Sequence, residues 1–284
     1  MSDELQNNLS IEGMVIVSQT EKEIQKLIED LGLNPKDAEK WHSLGVVYLS
    51  MNQTDKAEDA FKQCLELNKN HAFALGDLGG LYILKGKNKK AVKYLERSVR
   101  LEPGKFEYWS TLGVAYVQKG KYNDAVEAFH NSLAINPTYY DAVVSLGMTY
   151  SKMELWEKAL ETLTQAEKLM PNNYHALKAI AKSLRNLNRM KELEQLYQRM
   201  HVLFPKDPSF AMYLGQMEMK RGKTEEGLRY YKKAVEIDPD SLIGWKILSE
   251  ALAQMGRKEE SDAAYERYKE IENKLKRDNA RLIG

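Results

Sequence analysis

The chain has 284 residues, 42 of them Lys or Arg and 41 Asp or Glu, for a formal net charge of +1. So even a balance leaves no electrostatic footprint for nucleic acid or an anionic membrane. The single cysteine, Cys64, excludes an internal disulfide. Residues 1–18 read as an arm that starts polar and turns apolar through Met14, Val15, Ile16 and Val17. That run is too short to span a bilayer and lacks the basic start of a signal peptide, so no membrane insertion and a cytoplasmic location are expected. Residues 19–37 read as a capping helix or half-repeat. Ile24, Leu27, Ile28 and Leu31 fall on one helical face, and Pro35 stops the helix.

From there the chain is periodic. Pro103, Pro137, Pro171, Pro205 and Pro239 stand 34 residues apart, and Pro35 lies on the same grid with Lys69 in the one vacant slot. Units of this length run without insertion over 38–71, 72–105, 106–139, 140–173, 174–207, 208–241 and 242–275. The fourth position holds Trp41, Leu75, Trp109, Val143, Leu177, Ala211 and Trp245. Three residues on stand Leu44, Leu78, Leu112, Leu146, Ile180, Leu214 and Leu248, each followed by Gly, Ala or Ser. Tyr48, Tyr82, Tyr116 and Tyr150 follow, replaced later by Leu184, Glu218 and Leu252. Spacings of three and four place these side chains on one face of a helix. A break follows at Asn52, Gly86, Gly120, Glu154, Asn188, Gly222 and Gly256, where Gly or Asn suits a left-handed helix end. A second helix then carries Ala57, Phe61 and Cys64 and their counterparts. Each unit is therefore two antiparallel helices. Repeats five to seven drift from the pattern, with Leu193 and Met200 in small-residue slots, and looser or kinked packing is expected near repeat five.

The set W-x-x-L-G-x-x-Y, then Ala, Phe and Pro, resembles the tetratricopeptide repeat family over residues 38–275. The resemblance implies an all-α, right-handed superhelical solenoid of antiparallel helix pairs, with capping helices at both ends. At the C-terminal end, Glu259 to Leu282 reads as one long charged helix that continues beyond the last repeat through residues 276–284 and shields the stack.

Little in the chain suggests chemistry. The five histidines, His42, His71, His130, His175 and His201, show no His-Glu-x-x-His spacing, and no metal site or cofactor is expected. Gly76, Gly79 and Gly80 imitate part of a dinucleotide fingerprint but lie inside a helix with no strand before them. Asn8-Leu9-Ser10 and Asn52-Gln53-Thr54 match glycosylation sequons and are read as chance. Cys64 reads as a small buried residue, not a reactive thiol. No catalytic residue is assigned, and the chain is read as a non-enzyme.

In arrays of the family, positions two, five, nine, twelve and thirteen of each first helix face a concave groove. The resemblance carries that role to Val46, Leu49, Phe73, Gly76, Gly80, Ile83, Leu84, Val114, Val117, Val144 and Met148, an apolar set in the N-terminal half. Gly76 and Gly80 would leave room for a ligand. The alternative is that these side chains pack between adjacent first helices. Lys178, Lys182 and Arg185 recur at helical spacing as a cationic strip, or else as an ordinary solvated face. The clamp with which some members grip a chaperone's terminal carboxylate is absent: its positions hold His42, Val46, Asp77, Glu107 and Thr111. Another branch lines its groove with asparagine at position six, where this chain has Ser43, Asp77, Thr111, Ser145, Ala179, Tyr213 and Ile247. The reading is a scaffold or adaptor that binds a protein or peptide ligand with apolar anchors and acidic residues. The alternative is a self-assembling homo-oligomeric scaffold that uses the arm around Ile11 and Met14 to Val17.

Overall fold

The computed structural model describes residues 19–283, all of its regular structure helical. A first helix, α1, spans 19–33. There follow α2 (Ala38–Ser50), α3 (Thr54–Leu67), α4 (Ala72–Leu84), α5 (Asn88–Leu101), α6 (Phe106–Gln118), α7 (Tyr122–Ile135) and α8 (Tyr140–Lys152). The rest are α9 (Trp156–Leu169), α10 (Tyr174–Asn186), α11 (Met190–Leu203), α12 (Pro208–Lys220), α13 (Thr224–Ile237), α14 (Leu242–Gln254) and α15 (Lys258–Ile283). The chain clusters into two compact units, the first ending at Leu155 and the second beginning at Trp156.

Short-range chemistry sets the helix ends. All seven expected breaks adopt the left-handed conformation, from φ 55° at Asn188 to φ 79° at Gly222. At each, the next amide reaches back to the helix, as Lys87 does to the Tyr82 carbonyl at 2.8 Å and Arg257 to that of Leu252 at 3.0 Å, so the orphan carbonyls of the last turn are satisfied. Two positions of the period also act as one device. Trp41, Trp109 and Trp245 donate their indole N–H to the carbonyls of Pro35, Pro103 and Pro239 at 2.8–2.9 Å, which ties each helix to the proline that precedes it.

In the first unit α2 packs on α3, α4 on α5 and α6 on α7, while the first helices α2, α4, α6 and α8 neighbour one another. The small eighth position is required by close approach. A Cβ on Gly113 would stand 2.6 Å from the Phe129 ring, which instead lies directly on the backbone. Phe61, Leu78, Leu81, Tyr82 and Leu95 form one buried cluster, and α1 adds Leu31 against Leu44 and Ala60. The second unit has its own core around Leu228, Tyr231, Leu248 and Leu252.

Repeat five departs as its sequence suggests. Leu193 and Met200 are 3% and 0% exposed in slots that elsewhere hold Ala57, Ala91, Ser98 and Ser132. Their bulk holds α11 off α10, and this pair meets less extensively than α2 with α3 or α12 with α13. Cys64 is fully buried, and burial pushes its thiol up to about 12, so it is inert at neutral pH.

Candidate binding surface

On the first unit the predicted residues separate into two groups. Val46, Phe73, Leu84 and Met148 are exposed, Leu84 by 72%. Leu49 and Ile83 lean against the core, and Val114, Val117 and Val144 are half-buried. The alternative reading, packing between helices, therefore applies to this second group. Gly80 leaves open space, since a Cβ there would only touch Thr111 Cγ2 at 3.9 Å. Gly76 does not. A Cβ there would collide with the Tyr108 ring, so the next repeat already fills the room expected for a ligand.

Tyr108 belongs to a polar ladder that stitches these first helices together. Its hydroxyl donates to Asp77 Oδ1 at 3.0 Å, and His42 Nε2 meets Asp77 Oδ2 at 2.8 Å. Beside it, His71 caps α4 by accepting the Ala74 N–H on Nδ1 at 3.1 Å. Its Nε2 faces Glu39 Oε1 at 3.1 Å, off the line of a good hydrogen bond. Ligand atoms of Glu39, His42 and His71 lie within 4.8 Å of one another, a spacing that suits a divalent cation. The proton positions oppose that use. His71 Nδ1 must be bare to accept the cap bond, which puts the ring proton on Nε2, the nitrogen a metal would need. Sequence reasoning missed this cluster. The available signal was Glu39 three residues before His42 on one helix face, with His71 at the first position before α4.

On the second unit the cationic strip is not a plain solvated face. Lys178 Nζ lies 5.0 Å from the Tyr174 ring centroid, Lys182 Nζ 5.5 Å from that of Trp156, and the Arg185 guanidinium 4.7 Å from that of Tyr213. Arg185 also donates to the Tyr197 hydroxyl, and Tyr197 stacks on Tyr213 with centroids 4.8 Å apart. Aromatic rings thus hold the three cations in place without neutralising them.

Two cavities open beside this strip. One, of about 570 Å³, lies between α12 and α14 over Met212, Met219, Tyr231 and Ile247. The other, of about 470 Å³, lies between α11 and α12 and is lined by Arg185, Leu193, Tyr197 and Lys220. Met212, Met219 and Ile243 stand at positions five, twelve and two of their first helices and come together in the larger cavity.

Helix pairs on a 34-residue grid, with exposed side chains along their first helices, define the class of helical-repeat interaction proteins. The chain belongs to the tetratricopeptide repeat family: tetratricopeptide repeat profiles match residues 116–181, 191–242 and 214–274. A further profile, the TPR domain of cytochrome c-type biogenesis protein H, matches residues 16–143. PilF of Pseudomonas aeruginosa is similar in fold, with a TM-score of 0.59 at 18% identity over 68% of this chain and 88% of that one. YrrB, described as a TPR protein with an unusual peptide-binding site, gives 0.51 at 18% identity over 77% and 95%. MamA gives 0.51 at 22% identity over 54% and 90%. These likenesses establish the fold. No curated protein matches the chain in sequence. Among the described residues, no helix is long and apolar enough to cross a membrane. The residues of the arm, Ile11 and Met14 to Val17, lie outside those described.

Proposed function

We propose that the chain is a non-catalytic adaptor that holds a segment of a partner protein against the inner faces of its first helices. The family supports a protein-interaction role in general. The observation that carries the finer reading is the row of exposed apolar side chains on first helices of the first unit, Val46, Phe73, Leu84 and Met148, at 41%, 41%, 72% and 45% exposure. Side chains exposed to this extent are only partly used by the core, and apolar surface gathered on one face is the usual mark of a binding site. YrrB's described peptide-binding site lends the reading support by analogy of fold alone.

The test is a pull-down from native extract with the wild type and with a Phe73→Glu, Leu84→Glu, Met148→Glu variant. All three positions are exposed, so the variant should keep its helical circular dichroism. A partner recovered by the wild type and lost by the folded variant is the expected result. Identical recoveries, or recovery of the chain itself alone from both, would remove this face from consideration.

A further inference from the structure

The second unit carries a trough built on the first-helix positions that the family places in its groove, among them Met212, Gln216, Met219, Lys220 and Ile243. At the third position of the first helices Tyr108 and Phe210 are large buried rings, whereas Ala74, Ala142 and Ala176 are small. In the last repeat that position is Gly244, and the space beside it toward α12 stays open as the cavity over Met212, Met219 and Ile247. A Cβ on Gly244 would lie 3.0 Å from Val235 Cγ1, so the valine would have to give by a few tenths of an ångström.

Both cavities are lined by Tyr213 and Gln216, so they flank α12 and share part of its surface. Their linings differ in charge. The larger is floored by methionines and Ile247, with Ile243 at its rim 70% exposed. The smaller opens among Arg185 and Lys220, with Lys182 and Lys178 one and two turns back along α10. Among the described residues, none of these four cations has a carboxylate within ion-pair distance, although the chain contains nearly as many acids as bases. Positive charge on Lys182, Arg185 and Lys220 beside a largely apolar hollow, whose lining also includes Glu250, is complementary to a ligand that is acidic at one end and apolar at the other.

We infer that this trough takes an extended segment of a partner protein, with one large apolar side chain in the α12–α14 cavity and acidic residues over Lys182, Arg185 and Lys220. Gln216 is exposed on the ridge between the cavities, where its carboxamide offers both a donor and an acceptor to a crossing peptide backbone. Neighbouring helices pack about 8–10 Å apart and an extended chain rises about 3.3 Å per residue, so the anchor and the first acid stand roughly three residues apart. Methionine side chains let the apolar site accept either an aliphatic or an aromatic anchor. The inference rests on the reading of the chain as an interaction module but uses none of the first unit's residues.

A phage-displayed random dodecapeptide library panned on the full chain tests it, followed by fluorescence polarisation with the fluorescein-labelled consensus peptide. The expected consensus has a large apolar residue about three positions from Asp or Glu. Its affinity should fall at least tenfold in Ile243→Arg and in Lys182→Glu/Lys220→Glu, weaken with added salt, and stay unchanged in the first-unit triple variant. A consensus without acid, affinity insensitive to both second-unit changes, or no enrichment would each overturn the inference. Binding lost only in the first-unit variant would overturn it too, while leaving the broader adaptor reading intact.

Discussion

Two residues carry separable consequences. Glu154 is the single break position of the seven that is neither Gly nor Asn, yet it adopts φ 59° like the others. A side chain there costs about 1–2 kcal/mol from its Cβ, and glycine returns part of that as unfolded-chain entropy. Glu154→Gly should therefore raise stability by about 0.5–1 kcal/mol, read as a higher urea midpoint at unchanged slope. Glu58 is a buried carboxylate, and burial by itself would raise its pKa. Hydrogen bonds from Lys62, Lys85 and the Tyr82 hydroxyl outweigh that and hold it at about 2. A carboxyl depressed on folding stabilises fully above its unfolded pKa, near 4.5, and loses that contribution as pH falls toward about 2. Across that window Glu58→Gln should unfold with a flatter pH dependence than the wild type, by on the order of 2 kcal/mol. Parallel curves would show that Glu58 is not the group responsible.

At the scale of the element, drift from the repeat pattern is compensated locally. Glu218 replaces the tyrosine of earlier repeats and is 6% exposed. It survives there because Arg221 lies 3.1 Å away and Lys223 3.6 Å, with Arg221 also gripping Glu194 at 2.6 Å. A buried charge left without its partner is strongly destabilising. Arg221 is itself partly exposed, so Arg221→Ala should lower the denaturation midpoint by less than the loss of a fully buried partner would. In a Glu218→Gln background the same change should cost less than half as much. Equal costs in both backgrounds would mean that Arg221 acts through Glu194 instead. Repeat five shows a different compensation. Leu193 and Met200 remain buried, but the helix pair gives way around them, and the smaller cavity, lined in part by Leu193, lies beside that looser pair. A departure from the pattern has become a surface.

At the scale of the molecule, the near-zero net charge conceals a local asymmetry. Cations without carboxylate partners gather on α10 and α12, whereas Glu39 and Asp77 on the inner helices of the first unit are engaged by His71 and His42. The two proposed surfaces accordingly differ in what they select: exposed apolar residues in the first unit, and an apolar hollow with a cationic flank in the second. The pull-down and the peptide panning separate them, because each variant set leaves the other surface untouched.

The sequence alone determined the period, the helix pairs, the seven breaks and most of the core. These depend on contacts three or four residues apart and on backbone conformations that Gly, Asn and Pro permit or forbid, all of which the 34-residue grid displays. It also placed Phe73, Leu84 and Met148 on an exposed face. What it could not supply was the meeting of side chains from adjacent repeats. Tyr108 filling the space at Gly76, the rings of Trp156 and Tyr213 beneath Lys182 and Arg185, and the hollow beside Gly244 all join residues of different repeats. Their outcome depends on which rotamer fills a shared gap first. Periodicity fixes where such gaps recur, and only the packed structure decides which of them remain open.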